Sequence, residues 1–385
     1  MKKNWEVKRL GEVCEVIAGQ SPEGRYYNNA GNGLPFYQGK KEFTEKFIGE
    51  PTTWTTRITK EAWQDDILIS VRAPVGPVNF STDKICIGRG LAAIRATKLI
   101  DKEFLFNFLL KHENEIVSNA GAVFNSISKT QIENISIPLP PLPDQQRIVA
   151  ILDEAFAAIA TAKENAEKNL QNARELFESY LQSVFVNPGD GWEVKKIGEV
   201  CELKSGITIS PSLERNEGDV LYTKVGDMNL PENLIEINTS SRFVNSKEIK
   251  NNQIIPEGAV IFPKRGGAIA TNKKRKIIKP TIVDLNTMAL IPGKKIDNDY
   301  FFFWFQLIDL NDISNGTSIP QINNYSFDEV YIPYPVSLTE QRAIVAKLDA
   351  LSAETKKLEA IYRQKLNDLD ELKKSVLQKA FNGEL

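Results

Sequence analysis

Between residues 144 and 185 the chain contains neither glycine nor proline. Apolar or small residues recur there at Ile148, Leu152, Ala155, Ile159, Ala162, Ala166, Leu170, Ala173, Phe177, Tyr180 and Val184. Steps of three and four residues make one narrow stripe on a helix, close to heptad spacing. Asp144 is placed to cap the start, and Pro188-Gly189 ends it. Residues 340–381 repeat the pattern, with Ile344, Leu348, Leu351, Thr355, Leu358, Ile361, Leu369, Leu372, Val376 and Ala380 on the stripe and Lys356, Lys357, Glu359, Lys373 and Lys374 outside it. Each helix of ~40 residues would be ~60 Å long. A narrow stripe on a long polar helix needs a partner. The two helices are therefore expected to pair with each other, antiparallel if the halves are related by a pseudo-twofold axis. Two separate surface helices are the alternative.

The remaining residues form two globular stretches. Short apolar runs at 67–72 and 85–87, and at 220–225, 259–263 and 281–285, read as strands punctuated by Gly, Pro and Asn. Residues 102–111 and 300–308 read as one helix in each. An α+β fold is expected in both. The expected division is 1–143, a helix at 144–187, a second domain at 188–339 and a closing helix at 340–385.

The two halves are copies. Trp5-Glu6-Val7-Lys8-Arg9-Leu10-Gly11-Glu12-Val13-Cys14-Glu15 returns as Trp192-Glu193-Val194-Lys195-Lys196-Ile197-Gly198-Glu199-Val200-Cys201-Glu202, with nine of eleven positions identical. Ile135-Ser136-Ile137-Pro138-Leu139-Pro140 parallels Val330-Tyr331-Ile332-Pro333-Tyr334-Pro335. Asp144-Gln145 with Ile148-Val149-Ala150 and Leu152-Asp153 parallels Glu340-Gln341 with Ile344-Val345-Ala346 and Leu348-Asp349. Leu181-Gln182 and Phe185 match Leu377-Gln378 and Phe381. A repeat this long is a duplicated domain with its trailing helix, not a solenoid. The ends match and the middles do not: a common frame surrounds two divergent centres.

Composition narrows the classes. Of 385 residues, 48 are Lys or Arg and 50 Asp or Glu, a net charge of −2 that leaves nucleic-acid binding to local basic faces. With 42% hydrophobic and 25% charged residues, collagen-like, disordered and disulfide-scaffold chains are excluded. No apolar run approaches the ~18 residues of a membrane span. Residues 2–6 show no apolar secretory core. Cys14, Cys86 and Cys201 cannot all pair and lack zinc-finger spacing. A reduced, cytoplasmic protein without a membrane partner is expected.

Catalytic signatures are missing. The one histidine, His112, lies in an expected helix and suits a surface or helix-end role. There is no nucleophile elbow, P-loop or zinc set. Gly88-Arg89-Gly90 mimics a dinucleotide fingerprint without its βαβ context. Glu6-Val7-Lys8 and Glu193-Val194-Lys195 resemble part of a nuclease motif but read better as solvent-face alternation. The Asn/Asp-Pro-Pro-aromatic signature of an amino-methyltransferase is absent. The chain reads as a binder with no catalytic, cofactor or metal residues of its own. Lys264, Arg265, Lys273, Lys274, Arg275, Lys276 and Lys279 fall within sixteen residues free of acid, beside Gly266, Gly267 and Asn272. Such a loop suits phosphates and base edges, or is simply a solvated face. The counterpart in the first half, residues 72–77, carries only Arg72.

The doubled opening Trp-Glu-Val-Lys, the closing Ile-Pro-Leu-Pro-Pro-Leu, the Ile-Val-Ala-x-Leu-Asp helix starts and the Leu-Gln-Lys-Ala-Phe-Asn-Gly-Glu-Leu385 end together resemble the specificity subunit of type I restriction-modification systems, over the whole length. The resemblance implies two target recognition domains, separated and followed by helices that pair as an antiparallel coiled coil. Each domain would read one half of a bipartite, asymmetric site in double-stranded DNA. The helices would set the gap and dock two methyltransferase (M) subunits, which hold S-adenosylmethionine. Two restriction (R) subunits, with ATP and Mg, would complete the nuclease.

The residues expected to meet DNA are Tyr37, Gln38, Lys40, Lys41, Arg72 and Arg89, with Asn125 and Ser126, in the first half. In the second they are Thr223, Lys224, Lys264, Arg265, Lys273, Lys274 and Arg275, with Thr317, Ser318 and Gln321. Each has a plain surface or packing role as its alternative. Trp5 and Trp192 read as core. Rival readings of the chain are a coiled-coil scaffold that binds no DNA, against which the basic loop argues, a self-contained nucleic-acid enzyme, and a specificity subunit of a methylation-only complex.

Overall fold

A computed structural model describes residues 5–118, 126–316 and 318–385, the side chains of 114–118 excepted. The chain forms two compact units, one of residues 1–168 with 362–385, the other of residues 169–361. Each unit therefore contains a globular repeat and a part of both long helices.

In the first unit β1 (Glu6–Arg9) pairs antiparallel with β8 (Ser136–Leu139), so the opening and closing motifs of the repeat lie side by side. A four-stranded antiparallel sheet follows, ordered β2 (Cys14–Ala18), β7 (Leu91–Ala96), β4 (Ile67–Ser70) and β5 (Val78–Phe80). β4 is buried along its whole length, as a continuous apolar run demands. A second sheet places β3 (Leu34–Tyr37) parallel to β6 (Ile85–Ile87). Helix α1 (Lys102–Ser118) closes the core with Phe104, Leu105 and Phe108.

The second unit repeats this plan. β9 (Trp192–Lys196) pairs with β16 (Tyr331–Pro335). β10 (Cys201–Ser205), β15 (Thr287–Pro292) and β12 (Val260–Pro263) follow in the same order, extended by β13 (Arg275–Ile277). β11 (Val220–Thr223) runs parallel to β14 (Thr281–Val283). Helix α3 (Asn298–Gln306) buries Tyr300, Phe301, Trp304 and Phe305. Added strands and turns between 224 and 280 make the second repeat the longer of the two.

The long helices are α2 (Leu142–Val186) and α4 (Leu338–Asn382), 45 residues each, or ~68 Å. α2 begins before Asp144, which lies in the first turn instead of capping it; Pro143 is tolerated there because that position has no intrahelical N–H bond to lose. The helices pair antiparallel within each unit. In the first, Lys163 of α2 meets Asp370 of α4, and Arg147 donates to the Leu385 carbonyl at 3.0 Å. In the second, Arg174 meets Glu359 at 3.1 Å. Expected stripe residues Ile148, Leu152, Ile159, Ala166, Ala173, Leu348, Thr355 and Ala380 are buried. Leu358, Ile361 and Leu372 are exposed: over ten turns a 3.6-residue helix drifts off a 3.5-residue stripe, and Tyr362, Leu366 and Leu369 are the more covered residues along that stretch.

Two buried glutamines join helix to domain. Gln145 accepts from Asp101 N at 2.8 Å and donates to the carbonyls of Leu99 and Pro140. Gln341 does the same with Asp297 N at 2.7 Å, Lys295 and Pro335. Trp5 and Trp192 are half-buried and pack against the cores of their units. The three cysteines are free and buried.

Candidate nucleic-acid interface

Each unit carries a polar rim where the parallel strand pair meets the end of the buried antiparallel strand. In the first unit β3 ends at Tyr37, β4 at Ser70, and the loop after β6 is Gly88-Arg89-Gly90. Gly88 N donates to the Tyr37 carbonyl at 2.8 Å, Gly90 N to the Gln38 carbonyl at 3.1 Å, and Val71 N to the Gly90 carbonyl at 3.0 Å. A Cβ on Gly90 would lie 2.2 Å from the Gln38 carbonyl oxygen, so the loop closes only with glycine. Gly90 leads into a strand and not a helix, which excludes the dinucleotide reading. Gln38, Lys40, Arg72 and Arg89 converge on one pocket of about 200 Å³. Ser126 stands beside them, bridged to Arg72. Among the described residues the Gln38, Arg72 and Arg89 side chains make no hydrogen bond or ion pair, while Lys40 interacts electrostatically with the Glu113 carboxylate. Two arginines and an amide with free donors, beside Lys40, fit an anionic, hydrogen-bonding surface.

The second unit builds the same rim from different residues. Asp284 N donates to the Thr223 carbonyl at 3.1 Å, and Lys264 N to the Asn286 carbonyl at 2.8 Å. Ile322 N donates to the Lys264 carbonyl at 2.9 Å, as Ile127 N does to Val71. Arg265 bridges Gln321 as Arg72 bridges Ser126. These bonds equate Gln38 with Lys224, Val71 with Lys264, Arg72 with Arg265, Arg89 with Leu285, Gly90 with Asn286 and Ser126 with Gln321. Arg265 and Ser318 are exposed. Lys264 is half-buried, donates to Ser205 Oγ at 3.0 Å, and burial beside Arg265 lowers its pKa. Lys224 is held by Glu214 at 3.1 Å.

Several expected contacts are corrected. Tyr37 is a core residue whose hydroxyl donates to the Gly49 carbonyl at 2.9 Å. Thr223 is fully buried. The basic run is not an open loop, because most of its long side chains turn to carbonyls, an amide and carboxylates that the fold places beside them. Lys274 is buried and donates to the Ile308 carbonyl at 2.6 Å and to Asn272. Burial pushes its ammonium down to about 8. Arg275 is buried against the carbonyls of Lys274 and Met228. Lys273 meets Asn229, Lys276 meets Glu236 and Asp299, and Lys279 meets the Asn238 carbonyl. Lys274, Arg275 and Lys276 line a separate pocket of about 490 Å³ beside Phe302 and Phe303. Of the seven cations, Arg265 alone is exposed on the rim. Lys41 is exposed outside the first pocket. Asn125 and Thr317 lie outside the described residues. His112 is half-buried against Phe108.

Asn286 and Ser205 belong to the second rim and were not expected. Asp284-Leu285-Asn286 shares no residue with Gly88-Arg89-Gly90, so only the backbone pairing equates them.

A family model described as Type I restriction modification DNA specificity domain matches residues 2–170 and again 189–368. The MjaX specificity subunit of Methanocaldococcus jannaschii is 42% identical over 184 residues, 46% of this chain and 43% of that protein, so less than half of that relative is matched. The MjaIX specificity subunit of the same organism is 23% identical over 371 residues, 86% of this chain and 83% of that one. A solved structure described as the basis of complex assembly and conformational transition of the type I R-M system aligns over 100% of this chain and 99% of its own, with TM-score 0.82 and 22% identity. The HsdS subunit from Thermoanaerobacter tengcongensis aligns over 100% and 98%, with TM-score 0.67 and 21% identity. Both solved structures share the fold, and with each repeat matched in turn this chain belongs to the family of type I restriction-modification specificity subunits, which recognise the DNA target.

Proposed function

We propose that each globular repeat reads one block of a split, asymmetric DNA sequence, and that the paired helices fix the gap and dock methyltransferase subunits. The observation that carries this reading is the rim, which has one backbone plan in both units and a different side-chain set in each. A shared frame with divergent tips suits two different base blocks. Phosphate and base contacts come from short polar side chains and cations with free donors, as on the first rim. Two M subunits with S-adenosylmethionine, and two R subunits with ATP and Mg, would supply the chemistry. The solved relative described in terms of complex assembly supports that partnership. A methylation-only complex uses this chain in the same way. The scaffold reading is no longer opposed by the basic run, which is structural; the free cations of the first rim now oppose it.

The test is a methylome. The chain is co-expressed with its methyltransferase in a host lacking other adenine methylation, and N6-methyladenine is mapped by long-read sequencing. One motif of two short blocks around a fixed unspecified run is expected. Unmethylated DNA, with a stable complex in hand, would instead support a scaffold.

A further inference from the structure

The two rims share one backbone plan and differ in their side chains. Gln38 faces Lys224 in the comparison, Val71 faces Lys264, Arg89 faces Leu285, Gly90 faces Asn286 and Ser126 faces Gln321. Every pair is unlike except Arg72 and Arg265. Both arginines follow the last residues of a buried strand, and both are fixed in register by a bridge from the returning segment. Both are exposed, with no side-chain partner among the described residues. Their backbones are held and their guanidinium groups are free.

We infer that Arg72 and Arg265 are a shared phosphate anchor, and that base discrimination lies in the divergent positions, Gln38 and Arg89 in the first unit and Lys224 and Asn286 in the second. This rests on the reading that each repeat binds one DNA block. The reason is chemical. A phosphate is the same at every step of any duplex, so its ligand can stay constant while the target changes. A base-reading side chain must change when the base does. Arginine suits the constant role because its fork binds phosphate oxygens bidentately and is always charged. Gln38 and Asn286 have amides, which pair with adenine edges, and Arg89 and Lys224 have the donors that suit guanine; in the second unit the Asn286 amide donates to Asp284 at 3.0 Å and Lys224 is paired with Glu214, so both exchange these partners on reading a base.

The test uses the full chain assembled with its methyltransferase. Wild type first gives the motif; absence of any motif would sink the parent reading and leave this one without a subject. R72A and R265A are then compared with R72K and R265K, and with Q38A, R89A, K224A and N286A, after confirming that each variant assembles. The anchor role predicts an unchanged methylation motif in R72A and R265A. It also predicts equal weakening on target and scrambled duplexes, on the order of tenfold, and a salt slope smaller by ~1. The lysine variants restore much of the binding. Q38A or R89A relaxes only one block of the motif, and K224A or N286A only the other. Relaxation of a single base position in R72A or R265A, without rescue by lysine, would overturn the inference. So would unchanged affinity and salt slope in both alanine variants.

Discussion

Gln145 and Gln341 show how a single residue ties two elements together. Each amide is buried and makes three bonds to main-chain groups, from the turn before the domain helix and from the end of the closing strand. Replacing Gln145 by leucine would leave an N–H and two carbonyls buried without partners. We expect Q145L to lower stability by ~1–3 kcal/mol, visible as an earlier thermal unfolding midpoint, and Q341L to behave alike. Lys274 sets a pH dependence. Burial lowers its folded pKa to about 8, below the ordinary lysine value, so the unfolded chain binds more protons between about 8 and the ordinary lysine value near 10.4. Its contribution to stability therefore rises with pH across that window. In denaturant titrations at pH 7.5 and pH 10, K274M should lose part of the relative gain that wild type shows. An identical pH response in both proteins would argue against a strained ammonium.

At the scale of elements, the long helices carry a charge order that neither stripe shows. Lys163 with Asp370 and Arg174 with Glu359 occupy matching places, yet both put the cation on α2 and the acid on α4. An exact repeat would put the cation on α2 in one pair and on α4 in the other. The arrangement favours α2 against α4 over α2 against a second α2, where Lys163 would face Arg174. Exposed pairs of this kind contribute only ~0.2–1 kcal/mol each. K163E should destabilise by about that amount, and K163E with D370K should recover most of it; a double-mutant cycle on unfolding free energies measures the coupling. No recovery in the double variant would make the pair incidental.

Over the whole molecule the paired helices are the proposed spacer, so their length should set the gap. Seven residues added to both helices, after Ala160 in α2 and at the facing level of α4, keep the stripe in phase. They lengthen each helix by ~10 Å, or ~3 base pairs at 34 Å per turn. The methylome should show the gap longer by about three bases with both blocks intact. An unchanged gap in an active complex would defeat the spacer reading.

Much of this architecture could be read before any coordinates. The duplication, the two helices and the α+β repeats follow from periodicity and from identical segments, because helix stripes and strand ends are local patterns. The basic run misled for the same reason. A local pattern counts charges, but whether a lysine reaches solvent or an orphan carbonyl depends on what the fold places nearby. Lys274 turns inward because the Ile308 carbonyl, 34 residues away, lies beside it just past the end of α3. Tyr37 and Thr223 were expected to meet DNA from the polar stretches that hold them, and the parallel pairing buries them. The rim itself was only half visible. Gln38 with Lys40, Arg72 and Arg89 come from three separate segments and meet because three strand ends converge. The equivalence of Arg89 with Leu285 and of Gly90 with Asn286 exists only in backbone hydrogen bonds. The repeated frame is legible in the chain because it is written in contiguous residues. Which cations face outward depends on the fold, since exposure is a property of neighbours brought from elsewhere in the chain.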